Sequence, residues 1–349
     1  MNGRWILRRG TARSGFWYAD ESGRRIADRR QLDRIASLVI PPAWRDVHIA
    51  RSVASSVQAW GIDARGRKQY RYHQRAVVKR ELRKYHRVRE LARTMPRIRQ
   101  TLARDARAPR LHRDAVSAIA LRLIGETFCR VGGERYLREN GTYGLTTVRK
   151  THVRVGRDWV CLSYTGKSKV PQRQFTTSPD LVKLIRGLAR TPGRRLFRYR
   201  SEDGWRDLNA TDVNDYLRRR VGAFNAKDFR TWGGTLRAAT VLAEIGPAQS
   251  ATEAKRNVAL AMRLVSSELG NTPTVCRNSY VHPMVIARYL DEGETIALPR
   301  RGSLVRSGAG HQVEERALIA FLEKHFPDRR SGAKSASRKL RVPERRAAA

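Results

Sequence analysis

Residues Asp114–Arg130 read DAVSAIALRLIGETFCR, with apolar side chains at 116, 119, 120, 123, 124 and 128. Steps of three and four place those side chains on one face, which predicts an amphipathic helix facing a core. Arg130 stands at the end of that helix, before the pair Gly132-Gly133 and the segment Glu134-Arg135-Tyr136. Downstream, the β-like runs Leu145–Arg149, His152–Val155 and Trp159–Tyr164 are separated by Gly156-Arg157-Asp158, and Thr165-Gly166-Lys167 supplies another turn. They predict a small meander with Lys167 on a hairpin turn. From Asp180 onward the chain reads mostly helical. Asn209-Ala210-Thr211-Asp212 supplies N-cap chemistry for a helix through Arg220, and further helices are predicted over Leu236–Ile245 and Glu253–Leu269.

Upstream, the first ~75 residues read as a small α+β unit. Strands are predicted at Gly15–Tyr18, Val57–Ile62 and Gln69–His73, and a helix over Gln31–Leu38 that Pro41-Pro42 stops. Asp63-Ala64-Arg65-Gly66 is a turn with glycine where a positive φ suits it. From Gln74 to about Arg107 the pattern is helical and very basic. The switch from strand to helix near residue 76 sets the expected division: 1–76, then 77–327, then a disordered basic tail at 328–349.

Composition narrows the function. The chain has 349 residues, of which 40% are hydrophobic, so it can build a core. Seven Trp, 11 Tyr and 8 Phe argue against general disorder. Lys and Arg number 72 against 32 acidic residues, a formal charge of +40. That is unlike an average metabolic enzyme and suits a polyanionic partner, nucleic acid first, bound through counterion release. No apolar run reaches the ~20 residues of a membrane span, and the opening MNGRWILRRG lacks a signal-peptide core. Cys129, Cys161 and Cys276 have no CxxC spacing, and the eight histidines form no HxxxH pair. The expectation is an intracellular, cytoplasmic, nucleoid-associated protein that needs no metal and no cofactor.

Three local patterns carry the chemistry: Arg130 before its glycines, Lys167 in Thr165-Gly-Lys-Ser-Lys-Val170, and Lys227-Asp-Phe-Arg230 paired with Gly270-Asn271-Thr-Pro and Ser279-Tyr280-Val-His-Pro283. In this order and spacing they resemble the type IB DNA topoisomerases of the small poxvirus and bacterial kind, from about residue 15 to 325. Asp63-Ala-Arg-Gly-Arg-Lys-Gln-Tyr-Arg-Tyr72 is similar to that family's N-terminal DNA clamp. The resemblance implies an α+β, bilobed DNA clamp. A small β-rich N-terminal lobe would face a mainly helical catalytic lobe of the topoisomerase IB and tyrosine recombinase type, closing as a monomer on double-stranded DNA.

It also implies the roles. Tyr280 is the nucleophile, and its ordinary pKa of ~10 means that neighbours must help. Arg130 and Arg230 suit the two non-bridging phosphate oxygens, and Lys167 protonates the departing 5′-oxygen. The phosphotyrosine conserves the bond energy, so resealing needs no ATP. Many family members have His where this chain has Asn271; an amide keeps the hydrogen bond but carries no charge. Arg67, Gln69, Tyr70, Tyr72, Arg135 and Tyr136 are the expected DNA contacts, with Gln69 facing away from Tyr70 and Tyr72. Two other readings stay open: a tyrosine recombinase and a non-enzymatic nucleoid-packing protein. Recombinases usually carry a His-x-x-Arg box where this chain has Lys227-x-x-Arg230, and a packing protein has no use for the Arg–Lys–Arg–Asn–Tyr set.

Overall fold

The computed structural model describes residues 4–298 and 312–326, so the expected tail at 328–349 lies outside the described residues. The architecture is α+β, and the chain divides into two compact units, Met1–Lys84 and Tyr85–Ala349.

The first unit is one antiparallel sheet and a helix. Strands β1 (Trp5–Thr11), β2 (Gly15–Asp20), β3 (Arg45–Ala50), β4 (Val57–Ile62) and β5 (Lys68–Tyr72) pair in the order β2-β1-β3-β4-β5. Helix α1 (Arg29–Ser37) starts where the Asp28 carboxylate accepts the Arg30 N–H at 3.0 Å. Its Ile35 packs on Ile6, Val47, Ile49 and Ala59, the buried centre of the sheet. Strands β1 and β3 were not evident in the sequence. In β1 the apolar alternation stops at Arg8-Arg9, and in β3 the pairing register slips between Arg45 and His48, with Asp46 at φ 49°. Edge strand β5 alternates as expected. Tyr70 and Tyr72 stack with ring centroids 5.7 Å apart, and the Lys68 ammonium lies 3.5 Å from the Trp60 ring centre.

Helix α2 (Gln74–Ala106) carries the chain into the second unit, with Pro96 inside it. Helix α3 (Arg113–Thr127) is the axis of that unit, buried from Ala115 to Leu121 and again at Leu123 and Ile124. It is apolar nearly all round because neighbours cover every face. Helix α4 (Glu134–Asn140) follows, then β6 (Val153–Val155), β7 (Val160–Thr165) and β8 (Pro171–Thr176), an antiparallel sheet in the order β6-β7-β8. Next come α5 (Pro179–Ala189), the hairpin β9 (Arg198–Ser201) and β10 (Gly204–Asp207), α6 (Ala210–Arg220), α7 (Ala226–Ile245), α8 (Ala251–Leu269), α9 (Pro273–Ser279), α10 (Pro283–Glu292) and α11 (Val313–His325). Helix α3 packs on α5, α6, α7, β8 and β9.

The meander is real, but its strands differ from the expectation. Leu145–Thr147 and Lys150–His152 are single 3₁₀ turns, not the first strand. The third strand is β8, whose inward residues are Gln172, Gln174 and Thr176. A strand with polar residues inside defeats a search for apolar alternation. The predicted helix through Arg130 ends at Thr127, where Phe128 adopts a left-handed φ of 52°. Arg130 therefore sits on a loop. Helix α7 begins ten residues before the predicted Leu236, because Gly233-Gly234 interrupts the local pattern. The hairpin β9–β10 also breaks the stretch expected to be helical. No described helix is long and apolar enough to cross a membrane.

Candidate active site

Four segments of the second unit build the site. The first is the loop after α3. Gly132 (φ +90°) lies against Gly144 so closely that a Cβ on Gly132 would meet the Gly144 main chain at 2.9 Å. That approach lets Leu145 N–H donate to the Arg130 carbonyl and Thr146 N–H to the Val131 carbonyl, each at 2.8 Å. The main chain of Arg130 is thereby fixed, and the buried 3₁₀ turn mistaken for a strand does the fixing.

The second segment is the C-terminus of α8. A helix end leaves carbonyls without intrahelical partners and carries partial negative charge. Here two guanidiniums meet those carbonyls. Arg230 Nη2 donates to the Leu269 carbonyl at 2.9 Å, and Arg130 Nη2 to the Gly270 carbonyl at 3.2 Å. Arg130 also donates to Asn271 Oδ1, and Arg230 to the Phe128 carbonyl. Gly270 closes the helix at φ +60°, where a Cβ would run into the Gln172 side chain. Arg130 is half-buried and Arg230 is 3% exposed, its Nε without a hydrogen-bond partner among the described residues. Burial, and then the proximity of Arg230, pushes the Arg130 guanidinium below its ordinary pKa. The Asn271 amide nitrogen is also buried and without a described partner. Its oxygen holds Arg130 while its N–H groups stay available to donate.

The third segment is helix α7. Asn225 and Asp228 form a capping box at its start, and Lys227 stands exposed in its first turn. Arg230 follows one turn later. Gly233 and Gly234 then let other chain segments close in. A Cβ at Gly233 would collide with the Phe128 ring, and one at Gly234 would lie 2.8 Å from the Tyr280 carbonyl oxygen. Thr235 Oγ1 lies 3.3 Å from that same oxygen and accepts the His282 N–H at 3.0 Å.

The fourth is the end of α9, where Tyr280 is the C-cap residue and its N–H donates to the Cys276 carbonyl at 2.9 Å. Its half-buried ring centre is 5.0 Å from the Arg230 guanidinium carbon. Burial alone would push the phenol up. Arg230, Arg130 and Lys227 outweigh it, and the phenol lies below its ordinary pKa of 10.0. A cavity of about 280 Å³ opens beside it, lined by Arg130, Tyr136, Lys167, Lys227, Arg230 and Tyr280 together with the Gly132-Gly133 backbone. Lys167 reaches it from the turn between β7 and β8, where Ser168 and Lys169 both have left-handed φ values of 61° and 59°.

The fold therefore gathers Arg130, Lys167, Arg230, Tyr280 and Tyr136 around one cavity, with Asn271 bonded to Arg130. Arg135 points elsewhere on α4, paired with Glu139 at 2.8 Å. In the first unit Arg67 pairs with Asp63 at 2.7 Å, and Gln69 Nε2 donates to the same carboxylate at 2.8 Å, away from the Tyr70–Tyr72 stack. Those hydrogen bonds, Arg67 first, hold the Asp63 carboxyl far below its usual range. Sequence reasoning missed Lys227 as a cavity residue, and it missed Gly233, Gly234 and Thr235. Paired glycines inside an otherwise helical run were the available signal; Thr235 offered none. Burial raises the Cys276 thiol to about 11, which suits a packing residue.

A phenol held low by two guanidiniums, with an ammonium across a shared cavity, defines a class of protein suited to attack on an anionic phosphoryl ester. Comparison with known proteins narrows the class. Residues 67–297 match the family described as Eukaryotic DNA topoisomerase I, catalytic core, and residues 15–63 match Bacterial DNA topoisomerase IB, N-terminal domain. The chain is 32% identical over 276 residues to the DNA topoisomerase 1B of Acanthamoeba polyphaga mimivirus, covering 76% of this chain and 82% of that one. It is 25% identical over 240 residues to the DNA topoisomerase 1B of Vaccinia virus, covering 66% and 72%, and 24% identical to the DNA topoisomerase I of Monkeypox virus over the same shares. The chain belongs to the type IB DNA topoisomerases.

Proposed function

We propose that this enzyme relaxes supercoiled duplex DNA by cutting one strand, letting it rotate, and resealing it, without ATP or metal. The Tyr280 oxygen attacks the scissile phosphorus as its phenolic proton leaves to solvent. An O–P bond to Tyr280 forms, the P–O5′ bond breaks, and Lys167 gives its proton to the departing 5′-oxygen. Arg130 and Arg230 each face a non-bridging oxygen and gain in value as charge builds on the phosphorane. Asn271 holds Arg130 with its oxygen and donates to phosphate with its nitrogen. Resealing is the reverse: the 5′-hydroxyl attacks the 3′-phosphotyrosine and returns its proton to Lys167.

The observation that carries this reading is the Tyr280 phenol, drawn below its ordinary pKa beside Arg230 and Arg130 in a cavity that Lys167 also lines. The N-terminal sheet unit, about residues 1–76, serves as a DNA clamp to a catalytic part at 77–327, so that a monomer surrounds the duplex at the nucleoid. Arg67, Arg135 and Tyr136 contact phosphates, and β5, with Gln69 on one face and Tyr70 and Tyr72 on the other, enters the major groove, where Gln69 reads base edges. The test is relaxation of supercoiled plasmid in chelator without ATP, with SDS trapping on end-labelled strands. The parent should relax the plasmid and leave a 3′-linked adduct, and Tyr280→Phe should do neither. An adduct that survives in Tyr280→Phe, or one on a 5′ end, refutes the assignment. Paired recombinant products in place of relaxed circles would favour the recombinase reading.

A further inference from the structure

Tyr280 ends a seven-residue helix, α9, whose outer residues are mostly exposed. Short helices fray at their ends, yet a nucleophile must be placed to within about an ångström. The chain just beyond it is held far more firmly than α9 itself. Val281 and His282 are fully buried, and three elements grip them. Thr235 of α7 accepts the His282 N–H at 3.0 Å, while its own hydroxyl proton goes to the Thr231 carbonyl at 2.7 Å, with the Tyr280 carbonyl 3.3 Å away. Tyr85 of α2 donates its hydroxyl to the Val281 carbonyl at 3.1 Å. The His282 ring accepts the Met284 N–H at Nδ1, which caps α10, and it lies between Tyr85 (ring centres 4.5 Å apart) and Phe326 (4.8 Å, edge to face).

Phe326 is the residue that closes α11, and it is itself anchored. It is 3% exposed, its ring centre is 4.4 Å from that of His86, and its carbonyl accepts from the buried Arg89 guanidinium. Helix α11 is tied to α2 by the two-pronged pair Arg99–Glu315, at 2.9 and 2.6 Å, with Glu315 2% exposed, and by Arg93–Glu323 at 2.7 Å. It is tied to the end of α10 by Glu294, which meets both Lys324 and His325 at 2.8 Å.

We propose that Tyr85, His282 and Phe326 are positioning residues for the nucleophile: α2 and α11 clamp the Val281–His282 main chain and so fix where the Tyr280 phenol points. This rests on Tyr280 being the nucleophile. None of the three side chains lines the cavity, so their effect must reach the chemistry through the backbone of Tyr280.

The test uses the full chain. Single-turnover cleavage of a duplex is measured at saturating enzyme for the parent, Tyr85→Phe and Phe326→Leu. Affinity for the same duplex is measured with each change in a Tyr280→Phe background, and thermal midpoints are recorded. Tyr85→Phe keeps the ring and loses one hydroxyl, so it folds even if Phe326→Leu does not. Cleavage in Tyr85→Phe should slow by roughly 10- to 100-fold, as expected when a reacting group is misplaced by a fraction of an ångström or more, with DNA affinity within about twofold of the parent. A merely structural role would lower the thermal midpoint and leave the saturated rate alone, which overturns the proposal. Slowing matched by an equal loss of affinity overturns it too. A parent that forms no Tyr280-dependent adduct overturns the underlying reading and this proposal with it; a normal adduct formed at parental rate in the variants overturns the positioning alone.

Discussion

A methyl group added at Gly234 would test how closely α7 approaches the nucleophile's main chain. Its Cβ would stand 2.8 Å from the Tyr280 carbonyl oxygen, 3.1 Å from Tyr280 Cβ and 3.1 Å from a Leu269 methyl. Carbon pairs settle at about 3.5–4.0 Å, so the Tyr280 segment must retreat by roughly 0.5 Å. Alanine gains about 1 kcal/mol over glycine in a helix, whereas crowding a packed site costs about 1–3 kcal/mol. The two nearly cancel, and the net loss of stability is at most about 2 kcal/mol, or a thermal midpoint lowered by no more than about 8 °C. Catalysis has no such compensation. If a 1 Å displacement costs about 10²-fold, a shift of half that costs about tenfold. Gly234→Ala should therefore stay folded, bind duplex normally and cleave about ten times more slowly in a single-turnover assay. Gly187→Ala is the control. That glycine lies near the end of α5 with nothing within 4 Å of the added Cβ, so stability should rise by about 0.5–1 kcal/mol and cleavage stay unchanged. A Gly234→Ala enzyme that cleaves at the parental rate would refute the argument that this glycine sets the position of Tyr280.

Lys167→Ala should slow cleavage by roughly 10²–10⁴, and a substrate with sulfur at the 5′-bridging position should restore most of the rate; equal benefit to parent and variant would remove Lys167 as the acid. Asn271→Ala loses both a hold on Arg130 and a donor, and should cost about 10²–10³ in single-turnover cleavage. Asn271→His should keep most activity and introduce a dependence on pH between about 5 and 7.5, while Asn271→Asp should fall below Ala because a carboxylate would neutralise Arg130. Parental cleavage by Asn271→Ala would reduce that residue to a helix-end cap. Arg67 and Arg135 are held by exposed ion pairs that solvent and salt screen, so they can exchange Asp63 and Glu139 for phosphates. Arg67→Ala and Arg135→Ala should each lower the salt slope of duplex binding by about 1, whereas Gln69→Ala should change site preference more than affinity; unchanged slopes would count against backbone contact.

What the amino-acid sequence settles by itself is whatever depends on neighbours in the chain. The 3.6-residue period marks α3, Asn209 marks the start of α6, and the Asp63–Gly66 turn and alternating tyrosines mark β5, while Arg130, Lys167, Arg230, Asn271 and Tyr280 are singled out only by resemblance to the motifs of a known family. Tertiary structure decided the rest. Strand β8 turns Gln172, Gln174 and Thr176 inward, and the Thr176 hydroxyl reaches Glu126 of α3 at 2.5 Å, so its apolar alternation is missing although its burial is not. Leu145–Thr147 reads as a strand because its residues are β-formers, but its N–H groups find the 130–131 carbonyls of a loop held against it by two glycines. Likewise, only the folded chain brings the last carbonyls of α8 between Arg130 and Arg230, or Tyr85 and Phe326 to the two residues after Tyr280. Periodicity and capping are local free energies that a short window contains in full, whereas partners distant in the chain are chosen by which groups remain unsatisfied once the helices have packed.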